Sequence, residues 1–492
     1  MTIKTQLATL VTQSATGELA PAAPSADERA SALGVLDAVV FYGVVILIGL
    51  TAIPYGTVEP WSQALFECAV FLLTLLWVIH GFVKGSWRVE RMHLICPLVA
   101  LVSLAIVQSL AWWQTDWAGT KVWYAISADP FETWAFVLRI SALILACVLL
   151  MQFTSSKRRL GILVATIVAV AVASSVFGIA RQTMQHSPGF FLPGLKPESG
   201  YGQFINKNHF GFLIEMAMGL VIGGAVMRNR RRVELMPLYL SLLLIMWAAL
   251  VLSKSRGALL ALAVEVIFAG LLFLGTRRSA TTSDSSSKST LLRWTRSLAA
   301  RTIMVGVLLS ILVGGVIWLG GDQLATGVET AAIEMAGVDP TEFNDRTRRS
   351  DIWRATWSMF KAHPLLGAGL GGYWAEVPAY HDGSGVLAPR QAHNEYLELL
   401  ASGGIIGAAL FVWFAIALIR QARENVASAS GFQRAVLLGA IVGLVGVGVH
   451  SIVDFGLHIT SNALVFVALL AIINLKALPT CSHLSTKYPA GH

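Results

Sequence analysis

Arg390-Gln-Ala-His-Asn-Glu-Tyr-Leu-Glu-Leu-Leu-Ala-Ser-Gly-Gly-Ile-Ile-Gly407 passes from a polar loop into an apolar run. That passage predicts the start of a membrane helix at a water-facing surface. The expected helix puts His393 near its first turn. There the positive end of the macrodipole opposes protonation and favours a neutral ring able to accept a proton. Tyr396 and Leu397 follow three and four residues on and would share its face. His, Tyr and Asn also populate the headgroup belt of membrane proteins with no chemical role, so the stretch alone leaves both readings open.

Composition supports the membrane reading. Of 492 residues, 55% are hydrophobic and 13% charged, with a mean hydropathy of +0.67; a soluble domain carries about 25% charged residues. Repeated apolar runs of about 20 residues predict an all-α polytopic membrane protein. Twelve spans are expected, at roughly 33–54, 62–83, 92–113, 132–152, 159–180, 208–227, 235–253, 256–275, 302–320, 403–420, 435–452 and 460–477. With both termini cytoplasmic, every loop assigned to that side is basic. One carries Lys84, Arg88 and Arg91, the next Lys157, Arg158 and Arg159, and others Arg228, Arg230, Arg231 and Arg232, the 276–301 segment, and Arg420, Arg423 and Arg434. The net charge of +8 is therefore topological and does not indicate nucleic acid. Residues 1–32 lack a signal-peptide apolar region and are expected as a disordered cytoplasmic leader. Residues 33–477 form the membrane domain, and 478–492 a cytoplasmic tail. The 321–402 segment, between spans 9 and 10, is expected outside as a functional loop of short helices. Asn344-Asp345 before Trp353, Trp357 and Phe360 predicts one amphipathic helix there. The four cysteines show no metal or disulfide spacing. Gly219 with Gly223, and Gly439 with Gly443, fit close helix packing.

The informative charges are those on the side the topology rule disfavours. Lys254 and Arg256, in Leu252-Ser-Lys-Ser-Arg-Gly257, sit in a turn between two spans. They snorkel from helix ends, or they clamp a strongly anionic group, Arg bidentately and Lys as a point charge. Asn206, Lys207, Asn208 and His209 lie at the same face, as do Arg181 and Arg390. Arg139 falls inside the fourth span, where Glu215 or Glu265 is a candidate partner. His450, Asp454 and His458 would line one face if their stretch stays helical; Asp454 then either caps the following helix or supports a histidine or arginine of the site. Cations and a candidate base at headgroup depth suit a lipid-linked diphosphate. Gly367-Ala-Gly-Leu-Gly-Gly372 matches a dinucleotide fingerprint only formally, without the βαβ context, and is expected as a flexible turn. There is no Walker sequence, DxD or metal-ligand spacing, so no nucleotide, metal or other cofactor is expected.

Five motifs in order resemble the O-antigen ligase and polymerase superfamily of bacterial envelope glycosyltransferases. They are Gly202-Gln-Phe-Ile-Asn-Lys-Asn-His-Phe210, Leu252-Ser-Lys-Ser-Arg-Gly257, Gly367-Ala-Gly-Leu-Gly-Gly-Tyr373, Ala392-His-Asn-Glu-Tyr-Leu-Glu398, and His450-Ser-Ile-Val-Asp-Phe-Gly-Leu-His458 with Asn462. The resemblance implies an inner-membrane enzyme that moves glycan from an undecaprenyl-diphosphate carrier to an acceptor hydroxyl on the periplasmic face. It implies His393 as the essential histidine, Arg256 as the diphosphate-binding arginine, and Arg181 as a second one. Lys254 would join them, with Lys207, Asn208, His209, Asn394, Tyr396, Arg390, His450 and Asp454 binding substrate or supporting the site. The expected partners are the carrier-linked donor, a glycan or lipid A-core acceptor, and membrane lipids. Ligase and polymerase activities are not separable on these motifs. The alternative is a transporter or flippase of an anionic lipid-linked substrate, although no internal repeat supports it.

Overall fold

A computed structural model describes residues 26–53, 55–85, 91–115, 119–184, 200–226, 230–278, 349–381 and 389–478. Long apolar helices dominate it: α1 (Ala26–Ala52), α2 (Pro60–Lys84), α3 (Cys96–Ser109), α4 (Pro130–Phe153), α5 (Lys157–Thr183), α6 (Lys207–Val226), α7 (Arg230–Leu252) and α8 (Arg256–Arg278). After α9 (Arg349–Ala362) and the short α10 (Tyr373–Glu376) come α11 (Glu395–Ser428), α12 (Gly431–His450) and α13 (Thr460–Asn474). Local chemistry sets several starts. Pro60 and Pro130 stand where a helix needs no amide donor, and Asp129 and Ser156 accept the amides of Glu132 and Arg159.

Among the described residues, nine helices are long and apolar enough to cross a membrane, and α13 is a shorter apolar one. Their outward faces are apolar: Ile46 and Leu50 on α1, and Leu65, Leu72 and Ile79 on α2, are more than 40% exposed. A belt of that kind is suited to lipid rather than water. The expected ninth span at 302–320, the 279–301 part of the expected loop, Asn344-Asp345, the tail beyond 478 and residues 1–25 of the expected leader lie outside the described residues. α1 begins at Ala26.

The centre of the bundle is α6, which packs along α12. Gly219 and Gly223 meet Gly439 and Gly443 across that contact; a Cβ on Gly219 would lie 2.4 Å from the Gly443 amide nitrogen. Side chains there would force the helices apart. α13 is buried along nearly its whole length and also packs against α6. Arg139 is not joined to Glu215 or Glu265: its guanidinium donates to Gln63 Oε1 at 2.6 Å, on the neighbouring α2.

Three features depart from the expected spans. The chain leaves α3 at Ser109 and forms an antiparallel hairpin, β1 (Ala111–Thr115) with β2 (Lys121–Ala125), pairing Trp112 with Tyr124. α11 starts at Glu395 and runs to Ser428, well beyond the expected 403–420, and it is broken at Gly404 (φ 63°, ψ −164°). The glycine-rich turn fills that break. Ala368 and Gly369 donate to the carbonyls of Ala401 and Ser402, and Ile405 donates to the Pro364 carbonyl. Buried Gln108 on α3 donates to the Leu366 and Ser402 carbonyls and accepts from the Leu370 amide. This turn is a packed splice rather than a flexible one, because each backbone amide from Gly367 to Gly372 finds a partner.

Candidate functional site

The start of α11, the end of α12 and the starts of α6 and α8 meet at one end of the bundle. His393 is not in the first turn of α11 as expected. Asn394 is the N-cap, accepting the amides of Tyr396 and Leu397, and His393 precedes it with φ 50°. That left-handed backbone costs a non-glycine residue roughly 1–2 kcal/mol, a kind of strain that clusters at functional sites. Tyr396 therefore does not share a helical face with His393; its hydroxyl donates to the Gly448 carbonyl at 2.6 Å.

The histidine is held by a relay of side-chain contacts. Its Nδ1 lies 3.3 Å from Asp454 Oδ1. The other carboxylate oxygen of Asp454 accepts from the Asn208 amide, and Asn208 Oδ1 accepts from the Ser255 hydroxyl at 2.7 Å. Ser255 in turn accepts the Ala258 amide in the first turn of α8, beside Arg256. Asp454 is fully buried. Burial pushes its carboxyl up, but the hydrogen bond from His393 and the charges of nearby histidines outweigh that and hold it at about 2. An ionised Asp454 accepts from Nδ1–H of His393, and in the neutral form of that tautomer the lone pair sits on Nε2. The His393 side chain remains 31% exposed.

A second carboxylate set fixes the segment carrying His393. His458 Nε2 lies 3.3 Å from Glu395 Oε2 and 3.6 Å from Glu398 Oε1. Burial lowers the His458 imidazole, yet the two carboxylates overcome this and raise it to about 9. It is a cation at neutral pH. Glu398 also accepts the Ala392 amide, Glu395 accepts the Leu457 amide, and Trp353 on α9 donates to the Ala392 carbonyl. Phe455 packs edge-on to His393, His209 and His458.

Several expected residues converge here and others do not. Asn208, Asp454 and His393 form the relay. Lys254 (φ 54°) and Arg256 are exposed beside it, and no described residue engages either cation. Lys207 opens α6 and is exposed, as is Arg390. His209 is buried under the relay, against Phe455. Arg181 donates to the Gly202 carbonyl at 2.9 Å and so braces the loop before α6. His450 and Asp454 do not share a helical face, because α12 ends at His450. His450 turns inward, fully buried, to Glu215 Oε1 at 2.8 Å, which leaves it a supporting position and no access to substrate. Asp454 does not cap α13, whose N-cap Ile459 has no side-chain bond. Glu395, Glu398, Ser255 and Phe455 were not singled out by sequence. The two acids read as ordinary first-turn residues of a helix, and only their distance to His458 distinguishes them. Among the described residues no three metal-ligating side chains converge on one point.

Residues 241–412 match the family model described as O-Antigen ligase. The match supports the resemblance to the O-antigen ligase and polymerase superfamily. It contains Lys254, Arg256, Arg390 and His393, while Asn208, Asp454 and His458 reach the site from outside it. No curated protein matches the chain.

Proposed function

We propose that this chain is a membrane glycosyltransferase that moves glycan from a polyprenyl diphosphate, of the undecaprenyl type, to an acceptor hydroxyl. The observation that carries this reading is the relay His393–Asp454–Asn208–Ser255, which ties a base-poised imidazole to the turn presenting Lys254 and Arg256. His393 Nε2 takes the proton from the acceptor hydroxyl as its oxygen attacks the anomeric carbon. The bond from that carbon to the diphosphate oxygen breaks on the opposite side, so configuration inverts. Arg256 and Lys254 stabilise the charge that grows on the leaving diphosphate. The chain's residues supply every group this needs, so the proposed reaction uses no metal or nucleotide. Arg181, Lys207 and Arg390 border the donor's path, and Asn394 and Tyr396 hold the catalytic segment.

The site faces the periplasm of the inner membrane in this reading, because Lys84, Arg91, Arg159, Arg423 and Arg434 belong to the opposite end of the bundle. The acceptor is lipid A core for a ligase or another carrier-linked glycan for a polymerase. A deletion strain distinguishes these: a ligase loses all glycan on lipid A core, and a polymerase retains a single repeat. The chemistry is tested on purified protein with a synthetic polyprenyl-diphosphate glycan. His393→Ala is expected to lower turnover by roughly 10²–10⁴-fold, and Arg256→Lys, which lacks the planar fork, to fail nearly as badly as Arg256→Ala. Wild-type turnover in His393→Ala rules out this mechanism.

A further inference from the structure

Two helices measure the depth of the glycine-rich turn in the bundle. α11 runs unbroken from Ile405 to Arg420, the first charge after its apolar run, a length of about 22 Å at ~1.5 Å per residue. Counted from Arg423 instead, the length is about 27 Å. A hydrocarbon layer is about 30 Å thick, so Ile405 lies inside it on either count, and a tilt only shortens that height. Pro364 and Leu365 lie at the same level, because their carbonyls accept the Ile405 and Ile406 amides at 2.8 and 3.3 Å. On α3, Gln108 is about 18 Å from Cys96 at ~1.5 Å per residue and holds the Leu366 carbonyl. Arg91, just before α3, donates to Asn425 Oδ1 of α11 at 2.7 Å, so both counts start at one level.

The side chains and the backbone of the turn both suit that depth. Leu365 is 66% exposed and continues the outward apolar face of α11, where Ile405, Ile406, Val412 and Ile416 are exposed as well. Non-helical chain survives at hydrocarbon depth only where protein satisfies its polar groups. Here the amides from Gly367 to Gly372 all have partners, and α11 and Gln108 take the carbonyls of Pro364, Leu365 and Leu366. His363, which enters the turn, pairs with Glu376 Oε1 at 3.0 Å. Above it on α9, Trp357 and Lys361 are exposed and, four residues apart, share one face. Trp and a snorkelling Lys are the residue types that populate the headgroup layer.

We propose that Pro364 to Gly372 form a re-entrant turn that dips into the hydrocarbon layer, with Leu365 against acyl chains and Trp357 and Lys361 among the headgroups of the same leaflet. The partner of this surface is phospholipid. The 321–402 segment, expected wholly outside, is then anchored in the membrane at this turn. α9 links the anchor to the candidate site, since its Trp353 donates to the Ala392 carbonyl beside His393. The inference holds whichever reaction that site performs.

Electron paramagnetic resonance of the spin-labelled full chain, in vesicles of phosphatidylethanolamine and phosphatidylglycerol, tests this. In a cysteine-free background a nitroxide is attached at Leu365→Cys, with Ile416→Cys on α11 and Lys121→Cys on the hairpin as lipid and water references. All these positions are exposed, so the labels leave the packing intact. The Leu365 label is expected to collide with oxygen more than with a water-soluble nickel chelate, as at Ile416, and Lys121 to show the reverse. A label at Ile406→Cys, on the residue whose amide meets the Leu365 carbonyl, is expected to match Leu365. Water-like collision at Leu365 overturns the proposal, above all where Ile406 reads as lipid. Protection of Leu365 from both reagents also overturns it, because protein then covers the residue in place of lipid.

Discussion

At the residue scale, Asp454 matters because it both orients His393 and reaches the α8 turn through Asn208. Asp454→Asn replaces an acceptor with an amide that can hold the wrong ring tautomer. Turnover is expected to fall at least tenfold with donor KM little changed, and the loss of charge-assisted bonds to cost about 1.5–3 kcal/mol of stability. Steady-state kinetics with a melting curve on the purified variant check both. An unchanged turnover with a lower melting temperature reduces Asp454 to a structural residue. His458 carries a pH signature. Its folded value of about 9 lies above the ordinary 6.5, so its protonated form contributes stability in full below pH 6.5 and loses it as pH rises through 9. The melting temperature of the wild type should therefore fall between pH 6.5 and 9 more steeply than that of His458→Gln. Parallel curves would show that the two carboxylates do not bind a cation there.

At the element scale, the break in α11 lets the helix pass from water into the bundle while the glycine-rich turn is spliced to it. Gly404 occupies a backbone region essentially restricted to glycine, and a Cβ there would lie 2.3 Å from the Leu365 carbonyl oxygen. Neighbouring Gly403 has helical room, its nearest contact being a Leu370 methyl at 3.4 Å. Gly404→Ala should cost about 1–3 kcal/mol from backbone strain alone, and Gly403→Ala should be close to neutral. Melting of the two variants side by side decides this: equal stabilities mean the break is not required. A helix beginning in this stretch was legible in the sequence, but not its break. Hydropathy reports burial in lipid and is blind to a single residue's φ and ψ. The hairpin after α3 escaped for a related reason, since Trp112, Trp113, Trp123 and Tyr124 read as apolar whether they extend a helix or pair across strands.

At the scale of the whole molecule, the candidate site and the basic residues Lys84, Arg91 and Arg159 lie at opposite ends of the bundle, which makes orientation testable. In a cysteine-free background, Lys121→Cys on the hairpin and Glu424→Cys near the end of α11 are both exposed. An impermeant thiol reagent on spheroplasts is expected to label the first and to reach the second only after permeabilisation. The reverse pattern places the candidate site in the cytoplasm and removes the proposed donor from its reach.

Sequence by itself determined that this chain is a helical membrane protein, because hydrocarbon tolerates so few charges that apolar runs of span length carry one meaning. It also determined which polar residues deserved suspicion: His393, Arg256 and Asp454 stood where the solvent alone did not require them. Tertiary structure decided what those residues touch. Asp454 is 61 residues from His393 and 246 from Asn208, and no periodicity links positions on separate helices. The same folding turned His450 away from the surface to Glu215 and gave Glu395 and Glu398 a shared histidine. Contacts of this kind are set by how helices pack and where they break, and one-dimensional patterning holds no record of either.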